Sequence, residues 1–274
     1  MRVEYLSDHG GQQLRQAEEQ LHHAQAGLAS WHDADARASA DLKSARRAKP
    51  LWKRLLFVAT PEETAARARR AQARQQAFHA GQNVRQIDHV VRQRAAGVAG
   101  EDALAFELSS LSDEWVWLRG YRNRRGETDH VLVGPQGVWA IEVKLRRVRI
   151  HADGDEWWFE KLDRWGNVVD SGPATDRGGR SWARQVTDVA GDLAAWLGRN
   201  GQAVPVRTAV MLMHEQAQIG RCDNLGVDVV ATETGYLLRE MWQRASPLSP
   251  DDRASIVALI QRDHRFHQGR RRRR

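Results

Sequence analysis

The stretch TDHVLVGPQGVWAIEVK, residues 128–144, restricts the fold more than any other part of the chain. Two apolar runs flank Gly134-Pro135-Gln136-Gly137, four residues that form turns readily. Runs this short and rich in valine read as strands, and the turn folds one back against the other. Charge sits only near the ends, with Asp129 at the entry and Glu142 and Lys144 at the exit. A buried strand tolerates charge only where it has a partner or a task. Alternation puts Glu142 and Lys144 on one face and Ile141 and Val143 on the other. The turn brings Asp129 toward Glu142, thirteen positions away. Neighbouring carboxylates repel and raise each other's pKa, and a hard divalent cation with its own waters removes that conflict. A lysine beside them can steady charge developing on a phosphate. The set points to a metal-dependent phosphodiesterase site. Glu-x-Lys alone reads as a surface ion pair; the acid, the turn and a preceding helix bring a chemical role level with that reading.

Around this hairpin the pattern divides the chain. From residue 11 to about 98, apolar residues recur at steps of three and four: Leu14, Ala17, Leu21, Ala24, Leu28, Trp31, Ala38, Leu42 and Ala45, with Asp35 interrupting. Lys49-Pro50 ends that helix. Thr60-Pro61-Glu62-Glu63 opens another, with threonine as cap and Glu63 completing a capping box. Residues 1–96 are therefore expected to form a helical hairpin or coiled-coil arm. Its thin alanine seam suits a second copy or a partner protein. After Gly97 the composition changes. A helix is expected over 100–111, strands over 114–121, 128–133 and 138–144 (continuing toward Ile150), and a strand over 156–161. A helix over 179–199 follows, carrying Trp182, Val186, Val189, Leu193 and Trp196 on one face. Strands near 204–213 and 227–231 and helices near 233–244 and 249–262 complete a domain over 97–265. Residues 266–274 end in five arginines and are expected to be a disordered basic tail. The fold class is α/β, a mixed sheet flanked by helices.

Composition narrows the function further. The formal charge is +7, and removing Arg270 to Arg274 leaves +2, so the tail carries most of the excess. A basic chain suits a polyanion such as nucleic acid, and Arg270 and Arg271 would add salt-sensitive backbone contacts. One cysteine, Cys222, excludes an internal disulfide and a cysteine zinc cluster and suits a reducing cytoplasm. The sequence has no signal peptide and no apolar run long enough to cross a bilayer, so a cytoplasmic location is expected. LWKRLLFVA, 51–59, reads as a hairpin contact in preference to a membrane-surface anchor. No Walker loop and no dinucleotide fingerprint is present.

GEDALAFELSSL followed by TDHVLVGPQGVWAIEVK resembles the NERD (nuclease-related domain) family, a branch of the PD-(D/E)xK restriction-endonuclease-like superfamily. The matching positions are Gly100 and Glu101, Asp129 and His130, Gly137, Glu142 and Lys144, and Gln185 in SWARQV, over about 97–210. The resemblance implies a restriction-endonuclease-like fold. It implies Asp129 and Glu142 as ligands of Mg²⁺ or Mn²⁺ with Glu101 as a third acid, Lys144 as the catalytic lysine and Gln185 as an accessory group. Leu145, Arg146 and Arg147 follow where many members carry a small residue and a glycine; the two arginines suit phosphate contacts. The expected activity is phosphodiester hydrolysis, with DNA favoured over RNA, in a defence or DNA-maintenance role. The competing reading is a non-catalytic nucleic-acid-binding or scaffold protein that works through its helical arm.

Other residues are read as structural. Gln86-Ile87-Asp88-His89 imitates the Asp-His motif but lies in helical pattern. His130 points away from Asp129, toward the core. His22-His23 and His264/His267 read as solvated, His214-Glu215 lacks the second histidine of a zinc protease, and Trp157 and Trp158 read as sheet packing.

Overall fold

Strand β4 (Gly137–Lys144) is buried at seven of its eight residues, and the fold is built around it. The computed structural model describes residues 1–55, 58–176 and 178–271, without the side chains of His9, Arg54, Leu55, Arg270 and Arg271. The chain forms two units, one of residues 1–10 with 96–274 and one of 11–95.

In the first unit, β2 (Val116–Asn123), β3 (Gly126–Gly134) and β4 form an antiparallel meander. β8 (Val206–Leu212) runs parallel to β4, and β10 (Val229–Ala231) parallel to β8. On the far edge β1 (Arg2–Tyr5) pairs in parallel with β2. This six-stranded sheet buries both faces, which is why β4 reads as an uninterrupted apolar run. One face packs Trp117, Leu132, Trp139 and Ile141 against the end of α3 (Pro61–Glu107) and against α5 (Thr234–Gln243). The other packs Leu118, Val131 and Val133 against α4 (Trp182–Arg199) and α6 (Pro250–Arg271). A single 3-10 turn, Leu108–Ser110, ends α3. A second sheet has the order β7 (Val168–Pro173), β6 (Glu156–Leu162), β5 (Val148–Asp153), β9 (Gln218–Asp223). Its apolar side, with Ile150 and Trp157, packs with Trp182, Ala183 and Val186 of α4.

The expected mixed α/β fold with flanking helices is present, and several boundaries differ. The opening residues are not part of the helical arm: β1 closes an edge of the sheet, with Leu6 packed beneath it. The helix expected at 100–111 is the continuation of α3, because no breaker separates the two segments. The strand at 138–144 does not run on to Ile150. β4 stops at Lys144, and Leu145-Arg146-Arg147 carry the chain into the second sheet. α6 continues through Arg271, so residues 266–271 are helical, and residues 272–274 lie outside those described. His264, on α6, is buried against β2 and accepts the Arg122 backbone N–H on Nδ1 at 3.1 Å, so it is not solvated.

The second unit is an antiparallel hairpin of α1 (His9–Ala48) and α3, with α2 (Leu51–Leu55) at the turn. Residues 56 and 57 of LWKRLLFVA lie outside the described residues. Ala17, Ala38 and Leu42 meet Ala66 and Ala73 in its buried seam. Asp35 breaks the apolar stripe because it pairs with Arg70 and Arg74 at 3.3 and 3.5 Å. Thr60 Oγ1 accepts the Glu63 N–H at 3.2 Å, the cap read from sequence. The Glu63 carboxylate turns instead to Arg46, Lys49 and Arg67. Asp88 and His89 are helical, as expected. Among the described residues no helix is long and apolar enough to cross a membrane.

Candidate active site

The β3–β4 ladder ends at His130 opposite Ile141, before either strand does. Beyond that point side chains replace the backbone pairing. Thr128 Oγ1 donates to the Ile141 carbonyl at 3.1 Å, and the Val143 N–H donates to Asp129 Oδ2 at 2.7 Å. The two strands splay there, and β4 continues beside β8 as far as Lys144 opposite Leu212. Asp129 therefore stands at the open end of the hairpin, next to Glu142 in the extended register.

Glu142 is 5% exposed, and a charge that deep needs a partner. Lys144 Nζ donates to Glu142 Oε1 at 2.5 Å and to Gln185 Oε1 at 3.3 Å. Gln185 is buried on α4, which Ser181 caps by accepting the Arg184 N–H at 3.2 Å. The same helix turns the Trp182 ring under Lys144, 5.9 Å from Nζ. Burial holds the Asp129 carboxyl well above its usual pKa, and the Glu142 charge pushes it the same way. Burial alone would pull Lys144 down, but Glu142 and Asp129 outweigh it and hold the ammonium above its ordinary value.

Glu101 approaches from the end of α3. Gly100 permits this, since a Cβ there would fall 2.9 Å from that of Leu145. Arg119, 8% exposed in β2, donates to Glu101 at 3.3 Å and to Asp102 at 2.8 Å. Burial raises the Glu101 carboxyl, and Glu142 adds to the effect.

Asp129, Glu142, Lys144 and Gln185 are thus brought together, with Glu101 close enough to feel Glu142 but tied to Arg119. Among the described residues no group of three His, Cys, Asp or Glu side chains stands ready to hold a metal ion. His130 is fully buried against Trp117, ring centres 4.5 Å apart, facing away from the acids. Arg146 lies over the rings of Trp182 and Phe159, at 5.5 and 5.8 Å. The side chains of Arg270 and Arg271 lie outside the described residues. Sequence reasoning missed Arg119, Thr128 and the place of Trp182 under the lysine. The arginine inside the apolar run WVWLRGY was the available signal for the first.

Residues 96–213 match the family model of NERD, the nuclease-related domain, in the PD-(D/E)xK-like nuclease superfamily. The match covers less than half of the 274 residues. No curated protein and no solved structure matches the chain.

Proposed function

We propose that this domain hydrolyses phosphodiester bonds in nucleic acid, with DNA favoured, at the site formed by Asp129, Glu142 and Lys144. The observation that carries the reading is the splayed end of the β3–β4 hairpin, where a carboxylate takes the place of a backbone partner beside a buried Glu–Lys pair. The donor set suits a hard divalent cation. Asp129 Oδ1 and Glu142 Oε2 have no hydrogen-bond partner among the described residues, and their charges repel. Mg²⁺ is commonly held by one or two carboxylates with water filling the other positions. Asp129 and Glu142 would hold Mg²⁺ or Mn²⁺, which supplies Lewis acidity toward a phosphoryl oxygen when bound. Glu101 would act through its charge and its link to Arg119.

The chain's own groups have separate tasks. The ammonium of Lys144 stays charged and offers a donor to negative charge developing on the phosphate. Gln185 and the Trp182 ring fix its direction. Arg146 and Arg147, immediately beyond, would contact the backbone.

The test is cleavage of plasmid, linear duplex, single-stranded DNA and RNA with Mg²⁺, Mn²⁺ or EDTA. Glu142→Ala and Lys144→Ala, each checked for folding by circular dichroism, should cut at least ~100-fold more slowly. Undiminished cutting by either folded variant would refute the assignment, and activity unchanged in EDTA would refute the metal.

A further inference from the structure

Beyond the lysine, a cleft of about 470 Å³ lies against the second sheet, lined by Arg146 and Arg147 before β5, Phe159 and Lys161 of β6, Asp170 of β7, and His214. It lies past the carboxyl ends of β4 and β8, since Arg146 and Arg147 follow Lys144 and His214 follows Met213. Ligands of open α/β sheets bind at such ends. Three of the lining groups are cations, and none of Arg146, Arg147 and Lys161 forms an ion pair among the described residues. By contrast Arg119, Arg122, Arg124, Arg149 and Arg180 each face an acid. Arg147 Nε is buried with no acceptor.

The cations form a continuous track from the candidate site. Lys144 Nζ lies 5.9 Å from the Trp182 ring, and the Arg146 guanidinium lies 5.5 Å from that ring and 5.8 Å from Phe159. Trp182 and Phe159 stack at 6.4 Å with planes 5° apart. Lys161 shares the Phe159 face of β6, by alternation. Trp182 is buried and backs the track from the core side, so Phe159 is the ring that lines the cleft; spaced cations beside it suit a sugar-phosphate backbone. Phe159 is half-buried, and a single strand can turn an unstacked base toward such a ring, whereas a duplex keeps its bases paired inside.

We propose that this cleft takes one unpaired strand of nucleic acid, with Arg146, Arg147 and Lys161 holding its phosphates where the strand passes Asp129, Glu142 and Lys144. The proposal deepens the nuclease reading and rests on it. It assigns the second sheet, through β5 and β6, the task of guiding a strand.

The test is binding of a short dye-labelled single strand and of a blunt duplex of the same sequence, by fluorescence anisotropy in EDTA across a salt series. Wild type should bind the single strand several-fold tighter than the duplex. The double variant Arg146→Ala/Lys161→Ala removes two exposed, unpaired cations. It should bind the single strand roughly tenfold more weakly, with a salt slope smaller by about 1.4. Arg239→Ala/Arg262→Ala loses equal charge on α5 and α6 and should bind as wild type does. Thermal unfolding of each variant confirms the fold. Equal or tighter duplex binding, an unchanged slope in the cleft variant, or an equal loss in the charge-matched variant would overturn the proposal. Metal-dependent cleavage together with unchanged binding in the cleft variant removes the cleft and leaves the nuclease. Single-strand binding that depends on Arg146 and Lys161, with no cleavage by wild type, keeps the cleft and removes the nuclease.

Discussion

Gln185 shows how a single residue gains a role from what it touches. Its Oε1 accepts from Lys144 at 3.3 Å, while its Nε2 donates to the Arg180 carbonyl at 3.4 Å. It therefore ties the lysine to the start of α4. Gln185→Ala should lower kcat roughly tenfold and leave substrate affinity unchanged, because the ammonium loses one of its two anchors. Steady-state kinetics would separate the two parameters, and a change confined to KM would argue against positioning. His264 gives a pH-dependent case. Burial holds its pKa below the ordinary value. The unfolded chain takes up a proton below about pH 6.5 that the folded protein resists, so stability falls as pH drops through that value. Above that range the group contributes no slope. His264→Asn, which keeps an acceptor for the Arg122 N–H, should reduce the loss of stability between about pH 6.5 and 5. Denaturant titrations at several pH values would measure it, and an unchanged slope would count against the assignment. The acids and the lysine were legible because charge inside an apolar run is rare. His264 was not, because nothing in HRFHQ tells that one histidine faces the sheet.

At the scale of elements, three of the strands that reading missed, β1, β7 and β9, lie at edges, while the inner strand β5 was read as a continuation of β4. β1, β7 and β9 end the two sheets and are mostly exposed, with burial patterns that carry no apolar alternation. Their place is fixed by backbone pairing alone, and β1 finds its partner more than a hundred residues away. The turn at 134–137 has a tertiary constraint as well as a local one. A Cβ on Gly134 would lie 2.0 Å from the Trp115 ring, so the hairpin closes only because that position is bare. Gly134→Ala should cost about 1–3 kcal/mol through displacement of Trp115. A lowered midpoint in urea unfolding with unchanged m would show it. A midpoint equal to that of wild type would mean the ring can move freely.

For the whole molecule, the two units differ in how they hold together. The sheet unit has three apolar clusters, whereas the hairpin has a seam of alanines with ion pairs between its helices. Gly10 and Val98, where the hairpin departs and returns, are neighbours: a Cβ on Gly10 would lie 3.6 Å from the Val98 side chain. Replacing residues 11–95 by a short glycine-serine bridge should therefore leave a cooperatively folding sheet unit that retains β1. Circular dichroism and thermal unfolding would test this, and loss of cooperative unfolding would show that the hairpin is needed for the fold. The sequence by itself determined the helical hairpin, the meander with its turn and the nearness of Asp129, Glu142 and Lys144, because periodicity, turn chemistry and misplaced charge are local signals; Gln185 came from the family resemblance alone. Only the tertiary structure decided that the first strand belongs to the sheet and that Arg119 restrains Glu101. It also decided that the chain leaves Lys144 for a second sheet and lines a cleft with unpaired cations. Those features depend on partners distant in sequence, and no local pattern encodes which distant groups will meet.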